Sequence, residues 1–286
     1  MKTALLCVSF GTGVPAAQKS IASIEGALRQ EMPEADFFRA FSSQSIRKTL
    51  AARGELVWGA EEALEHLADS GYERVVVQPI YFLCGLEYEA LKVSAARVKN
   101  RFSSLLLGTP LISDTEALQR LAALLAEEYR REEGTALVFA GHGTPGFANA
   151  VYPALQAAFH GMGRRDVSVG TVTGWPGIQE LCSEWKAAGF TRVRIVPLLL
   201  AAGKHALTDV AGQKPNSWRS LLTREGYEVE CVLRGLGELP GVRELYRSSL
   251  RKLLQKEPPI HRSVFRNRKN LTRDGGLRYY FTRKRG

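Results

Sequence analysis

An internal repeat constrains the fold of this chain more than any other feature of its sequence. Residues 71–80 (GYERVVVQPI) match residues 189–198 (GFTRVRIVPL) at a constant offset of 118. Residues 4–12 (ALLCVSFGT) resemble residues 136–144 (ALVFAGHGT) in the same way, at an offset of 132. Since self-similarity at a fixed spacing marks a repeated structural unit, the chain is expected to contain two copies of one architecture.

Each copy alternates apolar strand-like runs with amphipathic stretches of helical periodicity. This pattern predicts an α/β fold of two similar lobes, at 1–113 and 114–255, each a parallel sheet flanked by helices, with the ligand cleft between them. The two offsets differ by 14 residues, so the first lobe is expected to carry an insertion near an extra helix at about 42–53. Strands are predicted at 3–9, 35–40, 73–80, 104–108, 135–140, 167–172, 192–199 and 228–233. Helices are predicted at 16–30, 61–70, 87–102, 115–131, 147–161, 178–188 and 242–254.

Three polar residues follow predicted strands close to the point where each strand ends. They are Glu87, His142 and His205, and the repeat makes Glu87 and His205 structural counterparts while it pairs His142 with Phe10. Ligands of open α/β sheets bind at the carboxyl ends of the strands, so these side chains are expected to converge in the cleft. Two imidazoles and a carboxylate are ligands that suit Co, Ni, Fe or Zn. A packed, structural role for each histidine is the alternative, but both lie in glycine-rich loops that a flat ligand can approach closely.

Composition bears on location and partners. No window approaches the roughly 18 uninterrupted apolar residues of a membrane helix, and the N-terminal apolar run is too short for a signal sequence. The four cysteines form no C-x-x-C pair, which disfavours a disulfide framework, so a cytoplasmic chain is predicted. Residues 256–286 account for +8 of the net charge of +10. A nucleic-acid partner depends on this tail alone, and a disordered, solvated extension is the preferred interpretation.

Five segments carry a family resemblance in a fixed order along the chain. They are LLCVSFGT at 5–12, FRAFSS at 38–43, GLEYE at 85–89, FAGHG at 139–143 and PLLLAAGKHA at 197–206. These segments resemble the anaerobic-type sirohydrochlorin cobaltochelatases, the long, two-lobed form of the class II tetrapyrrole chelatases. The resemblance extends over residues 3 to about 254.

The resemblance implies insertion of Co²⁺ into sirohydrochlorin during anaerobic cobalamin biosynthesis, with the metal as a substrate and without a nucleotide or other organic cofactor. It implies that His142, His205 and Glu87 bind the metal, and that His142 and Glu87 act catalytically, with His142 as the base that removes pyrrole protons. Two positions depart from the family pattern. The family often has an acidic residue where Lys204 stands and a histidine where Tyr81 stands, which bears on metal preference and substrate contacts.

Sirohydrochlorin is rich in carboxylates, which suggests basic partners in the cleft. Arg39, Arg47 and Lys204 are therefore predicted to form salt bridges with its rim, with solvated surface charge as the alternative for each. Ser9 and Thr12 are predicted to donate hydrogen bonds to the same rim.

Several other functions are compatible with parts of the sequence. Ferrochelation of the same tetrapyrrole is one alternative, and a non-catalytic tetrapyrrole or metal carrier on the same fold is another. Residues 141–146 (GHGTPG) also fit the dinucleotide-binding pattern G-x-G-x-x-G. Asp166 precedes its strand, however, whereas a ribose-binding acid follows one, and Pro145 stiffens the phosphate turn, so a dinucleotide-dependent oxidoreductase is disfavoured.

Overall fold

Two four-stranded parallel sheets form the framework of the protein in the computed structural model, which describes residues 1–256. The strands are β1 Thr3–Ser9, β2 Asp36–Phe41, β3 Arg74–Ile80, β4 Ser104–Leu107, β5 Thr135–Gly141, β6 Val167–Thr171, β7 Arg192–Pro197 and β8 Glu228–Cys231. The strand order is β2-β1-β3-β4 in the first sheet and β6-β5-β7-β8 in the second, which is the same order twice. The predicted two-lobed α/β fold is confirmed, and every predicted strand is present within two residues of its predicted ends. The predicted lobe boundary between residues 113 and 114 stays a prediction.

Helices flank both sheets within the described part of the chain. They are α1 Pro15–Arg29, α2 Gln44–Ala51, α3 Ala60–Asp69, α4 Leu86–Val98, α5 Thr115–Glu128, α6 Val151–Gly161, α7 Ile178–Ala187, α8 Trp218–Arg224 and α9 Pro240–Gln255. All predicted helices are present, including the extra one, which is α2. The short helix α8 and a π-helical turn at Ala206–Val210 were not predicted. None of the helices in residues 1–256 combines the length and apolar character needed to cross a bilayer. The predicted tail at 256–286 lies outside the described residues, apart from Lys256.

The central strands are apolar and buried on both faces. β1, β3 and β5 are buried along almost their whole length, as expected for parallel strands that helices cover on both sides. One apolar cluster joins the two sheets, because it includes Leu5 and Val76 from the first and Phe139 from the second. Residues 1–256 consequently form one compact unit.

The C-terminal helix α9 crosses back to the first half of the chain and packs against α1. Arg247 and Arg251 of α9 pair with Glu31, which follows α1, at 2.5 and 2.7 Å. The hydrogen bond from Arg251, supported by Arg247, lowers the pKa of Glu31 to about 2. Ahead of α9, Gly237 lies so close to α1 that a Cβ atom there would stand 2.3 Å from the Ser20 carbonyl oxygen. Glycine is needed for the close approach of residue 237 to α1, which allows α9 to pack against α1.

The loops at the carboxyl ends of the two sheets meet. Thr12, in the loop after β1, lies against Gly203, in the loop after β7, where a Cβ atom on the glycine would be 3.0 Å from Thr12 Oγ1. Gly85, after β3, lies near Thr144, after β5, with 4.0 Å between the corresponding Cβ position and Thr144 Oγ1. The chain therefore places four strand-end loops, two from each sheet, at one location.

Candidate functional site

The two histidines that the sequence singled out lie side by side at this location. His142 directly follows β5 and His205 follows β7, and these two strands are neighbours in the second sheet. The imidazole ring centroids are 4.6 Å apart and the ring planes are nearly perpendicular, at 80°. Both residues are exposed, so a ligand in the cleft has access to them.

Hydrogen bonds set the orientation of both imidazoles. His142 Nδ1 lies 2.8 Å from the Gly143 carbonyl oxygen, and His205 Nδ1 lies 2.7 Å from Asp209 Oδ2. A carbonyl and a carboxylate only accept, so we assign the hydrogen of each neutral ring to Nδ1. Each Nε2 then carries a free lone pair, which is the form of histidine that binds metal ions.

Asp209 was not found from the sequence, although its spacing contained the signal. It stands four residues after His205 on the turn at Ala206–Val210, and residues with this spacing share one face of a helical segment. Burial raises the pKa of Asp209, but hydrogen bonds from His205 and Thr208 outweigh burial and bring it below its ordinary value. Asp209 is therefore a carboxylate at neutral pH and acts as an acceptor.

The loop that carries His142 is held by its own neighbours. The backbone N–H and the hydroxyl of Thr173 both donate to the His142 carbonyl oxygen, at 2.9 and 2.7 Å. Asn149 Oδ1 accepts from the Thr144 N–H at 3.1 Å. Gly143 has a φ of 88°, and a Cβ atom there would stand 2.8 Å from a backbone nitrogen. This loop therefore requires glycine directly after the histidine.

Glu87 lies in the first turn of α4, on the first-sheet side of the cleft, and its side chain is exposed. A Cβ atom placed on Gly85 would lie 3.7 Å from Glu87 Oε2 and 4.0 Å from Thr144 Oγ1, so the carboxylate is near the loop of His142. Among residues 1–256, no three His, Cys, Asp or Glu side chains are close enough to form a complete metal site. The structure thus brings the two histidines together, with Glu87 near the loop of His142 but not joined to the pair as a three-residue metal site.

Three of the predicted substrate contacts lie around the same loops. Ser9, the last residue of β1, is buried and its hydroxyl has no hydrogen-bond partner in the described structure. Thr12 is also buried, and its hydroxyl accepts from the Val14 N–H at 3.2 Å. Lys204 is exposed and directly precedes His205. Their contact with a substrate stays a prediction.

The two predicted arginine contacts are engaged elsewhere. Arg39 Nε donates to Glu25 Oε1 at 2.8 Å, and a second contact completes a bidentate pair with a carboxylate that is only 3% exposed. The hydrogen bond to Glu25 also raises the pKa of Arg39. Arg47 pairs with Glu62 at 3.0 Å. These pairings favour structural roles for both arginines over the predicted salt bridges to a substrate.

Sequence reasoning missed a set of exposed apolar side chains that follow the strand ends. Five large apolar side chains between 41% and 94% exposed stand shortly after strand ends, in a loop or in the first helical turn that follows: Phe10, Leu86, Phe147, Trp175 and Leu207. We call this set the apolar rim. The carboxyl ends of parallel strands are where ligands bind, so exposed apolar side chains at these positions are candidates for substrate contact. The available signal was the position of each residue shortly after a predicted strand.

Comparison with solved structures shows that the fold is chelatase-like. SirB from Bacillus subtilis with Fe³⁺ is 19% identical over 88% of this chain and 96% of its own, with a TM-score of 0.59. DR2241 from Deinococcus radiodurans, described as structurally similar to chelatases, is 18% identical over 87% of this chain and 54% of its own, with a TM-score of 0.58. At these identities the likeness shows the fold alone.

The chain belongs to the cobalt chelatase (CbiK) family, whose model matches residues 3–255. The sirohydrochlorin cobaltochelatase of Salmonella typhimurium is 33% identical to it over 257 residues, which are 89% of this chain and 97% of the relative. The sirohydrochlorin cobaltochelatase CbiKC of Nitratidesulfovibrio vulgaris is 30% identical over 253 residues, 87% of this chain and 89% of the relative. The family that the sequence motifs predicted is confirmed.

Proposed function

We propose that this chain inserts Co²⁺ into sirohydrochlorin, as the names of its Salmonella and Nitratidesulfovibrio relatives describe for those proteins. One observation carries the proposal for this chain. Two exposed imidazoles lie 4.6 Å apart at the strand ends, with both Nδ1 atoms engaged, so both Nε2 lone pairs are available to a cation. Imidazole nitrogen is a suitable ligand for Co²⁺.

In the proposed mechanism His142 and His205 hold the incoming Co²⁺ through their Nε2 atoms. Glu87 approaches from the opposite side of the cleft as the third ligand, after a side-chain movement that the ion itself favours by attraction. Placing the ion beside the macrocycle replaces a bimolecular encounter with a transfer inside one complex.

Metal insertion forms metal–nitrogen bonds to the ring and breaks two pyrrolic N–H bonds. As the ion leaves the protein ligands for the ring, the lone pair of His142 and the carboxylate of Glu87 become free and accept the two protons. The charges and protons of this exchange balance without a nucleotide or another organic cofactor.

The tetrapyrrole lies against the apolar rim in this proposal. A flat macrocycle buries apolar surface there, while Lys204 pairs with a carboxylate at its edge and Ser9 and Thr12 donate hydrogen bonds. We therefore expect Phe147→Ser and Trp175→Ser to raise KM for sirohydrochlorin with little change in kcat or stability.

Leu56→Ser is the matched control, because Leu56 is 88% exposed and is not part of the apolar rim. Steady-state kinetics at saturating cobalt measure the effect. Equal KM values for the rim variants and the control would remove the rim from the substrate site.

The central test replaces each histidine singly with alanine. His142→Ala and His205→Ala should each reduce cobalt insertion by about 100-fold or more, followed by the absorbance change of the tetrapyrrole. His66→Ala on α3 is the control, because it deletes the same side chain elsewhere. Near-normal turnover in both cleft variants would contradict the proposed site.

The same assay with Co²⁺, Fe²⁺ and Ni²⁺ identifies the preferred metal. Formation of metalated product in many-fold excess over the enzyme distinguishes a chelatase from a stoichiometric carrier. Faster insertion of iron than cobalt would favour ferrochelation.

We also place the reaction in the cytoplasm. The four cysteines are unpaired in the structure, which is the usual state in a reducing compartment. Recovery of chelatase activity in a periplasmic or extracellular fraction would contradict this location.

A further inference from the structure

The contact between His205 and Asp209 differs in kind from the contact that orients His142. His142 is oriented by the backbone carbonyl of Gly143, which no side-chain substitution removes. His205 is oriented by a side-chain carboxylate, at 2.7 Å between Nδ1 and Oδ2. The tautomer of one histidine in the pair therefore depends on a single replaceable residue.

Asp209 is itself held in place for this contact. Its second oxygen, Oδ1, lies 2.9 Å from the Thr208 hydroxyl, which is also 2.9 Å from the Lys204 carbonyl oxygen. The one hydroxyl hydrogen of Thr208 serves these two acceptors in turn, so Oδ1 shares its donor, whereas Oδ2 faces the imidazole and has His205 Nδ1 as its own partner.

The helical turn does not need Asp209 for its own hydrogen bonds. The Leu207 N–H donates to the Gly203 carbonyl oxygen at 3.1 Å, and the Ala211 N–H donates to the Ala206 carbonyl oxygen at 3.0 Å. The Asp209 side chain is 37% exposed, so its removal leaves no buried cavity. Its described side-chain hydrogen bonds are to His205 and Thr208, and Lys214 adds an electrostatic attraction. Of these partners only His205 belongs to the proposed metal site, so the contact serves to orient the imidazole.

We propose that Asp209 is a positioning residue for metal capture, which keeps the hydrogen of His205 on Nδ1 and its Nε2 lone pair toward the cleft. Without the carboxylate, the ring samples the other tautomer and rotates about its side-chain bonds, and both movements remove the lone pair from the ion. This inference rests on the proposed function, since it assigns a purpose to the orientation of a proposed ligand. Loss of such a carboxylate partner of a metal-binding histidine typically costs about 10- to 100-fold in metal affinity.

The test compares Asp209→Ala and Asp209→Asn with wild type in the full-length protein. Co²⁺ is titrated into the protein alone and followed by its visible absorption, and KM values for Co²⁺ and for sirohydrochlorin are measured separately. We expect the Kd and KM for Co²⁺ to rise about 10- to 100-fold in the alanine variant and less in the asparagine variant, which keeps an accepting oxygen. KM for sirohydrochlorin should not change.

Glu225→Gln is the matched control, because Glu225 is another exposed carboxylate of the second half, paired there with Lys186. Nitrogen-15 NMR of the imidazoles gives a direct readout, since the chain has only five histidines. The His205 signals should show the Nδ1–H tautomer in wild type and a mixture of tautomers in Asp209→Ala.

The two proposals fail in different ways. If His205→Ala loses cobalt binding while Asp209→Ala keeps wild-type affinity and tautomer, the role of Asp209 is refuted and the metal site stands. If His205→Ala binds and inserts cobalt normally, the proposed function of this site is refuted. Should the alanine variant fail to fold, the asparagine variant supplies the same comparison.

Discussion

Replacing Arg39 with methionine should destabilise the protein and leave the turnover of the folded enzyme unchanged. The Glu25 carboxylate is 3% exposed, and Arg39 is its bidentate partner. Removing one partner of a buried ion pair costs about 3–5 kcal/mol, because the other charge stays buried without compensation. The Arg39 side chain is 41% exposed, so water can reach the vacated position, and we expect the lower end of that range, about 3 kcal/mol.

Denaturant unfolding monitored by circular dichroism measures this loss. For a domain of this size, about 3 kcal/mol corresponds to a decrease in Tm of about 6–12 °C. The double variant Glu25→Leu with Arg39→Met removes both charges and should unfold within about 1 kcal/mol of wild type. If Arg39→Met kept wild-type stability and raised KM for the tetrapyrrole, Arg39 would be a substrate contact and the structural interpretation would be refuted.

Two further predictions concern the contact between α9 and Glu31 and the loop that carries His142. Glu31→Gln should weaken the dependence of the free energy of unfolding on acid pH. The pKa of Glu31 is about 2 in the folded protein and near 4.5 in the unfolded chain, so the ionised carboxylate stabilises the fold fully above pH 4.5. This contribution is lost as the pH falls toward 2. Urea unfolding at pH 7 and pH 3.5 checks this, and an unchanged difference between the two pH values would contradict it. Gly143→Ala should lower turnover by about 100-fold by displacing the adjacent imidazole, whereas Gly54→Ala, at a φ of 81° with no atom nearby, should retain it. Equal turnover in the two glycine variants would show that the loop tolerates the added Cβ.

The regular elements could be predicted because their signals are local. A buried parallel strand such as β5 is a continuous apolar run, and long amphipathic helices such as α1 repeat their apolar positions over several turns. Helix α8 was missed because it is only seven residues long and buries only Trp218 and Leu222. The π-helical turn after His205 is shorter still. Neither segment is long enough to establish a period.

In the candidate site, too, some residues could be predicted from the sequence and others could not. His142 and His205 could be selected from the sequence because both follow predicted strands within the repeat, and these features can be recognised from the order of residues along the chain. The pairing of Arg39 with Glu25 was not predictable, since a basic residue in a strand has no local signal that a buried carboxylate lies across the layer on α1. The apolar rim likewise depends on the exposure of its five side chains, which is a property of the folded chain.

The sequence by itself determined two similar α/β halves, the strand ends that carry the histidines, and the family. Only the tertiary structure decided that the halves share one core, that α9 returns to α1, and that Nδ1 of each imidazole is engaged while Nε2 is free. The physical reason is the distance along the chain over which each kind of interaction acts. Periodicity and turn chemistry act over a few residues, whereas the bond between Ser20 and Glu238 joins positions 218 residues apart and forms only when the whole chain has packed.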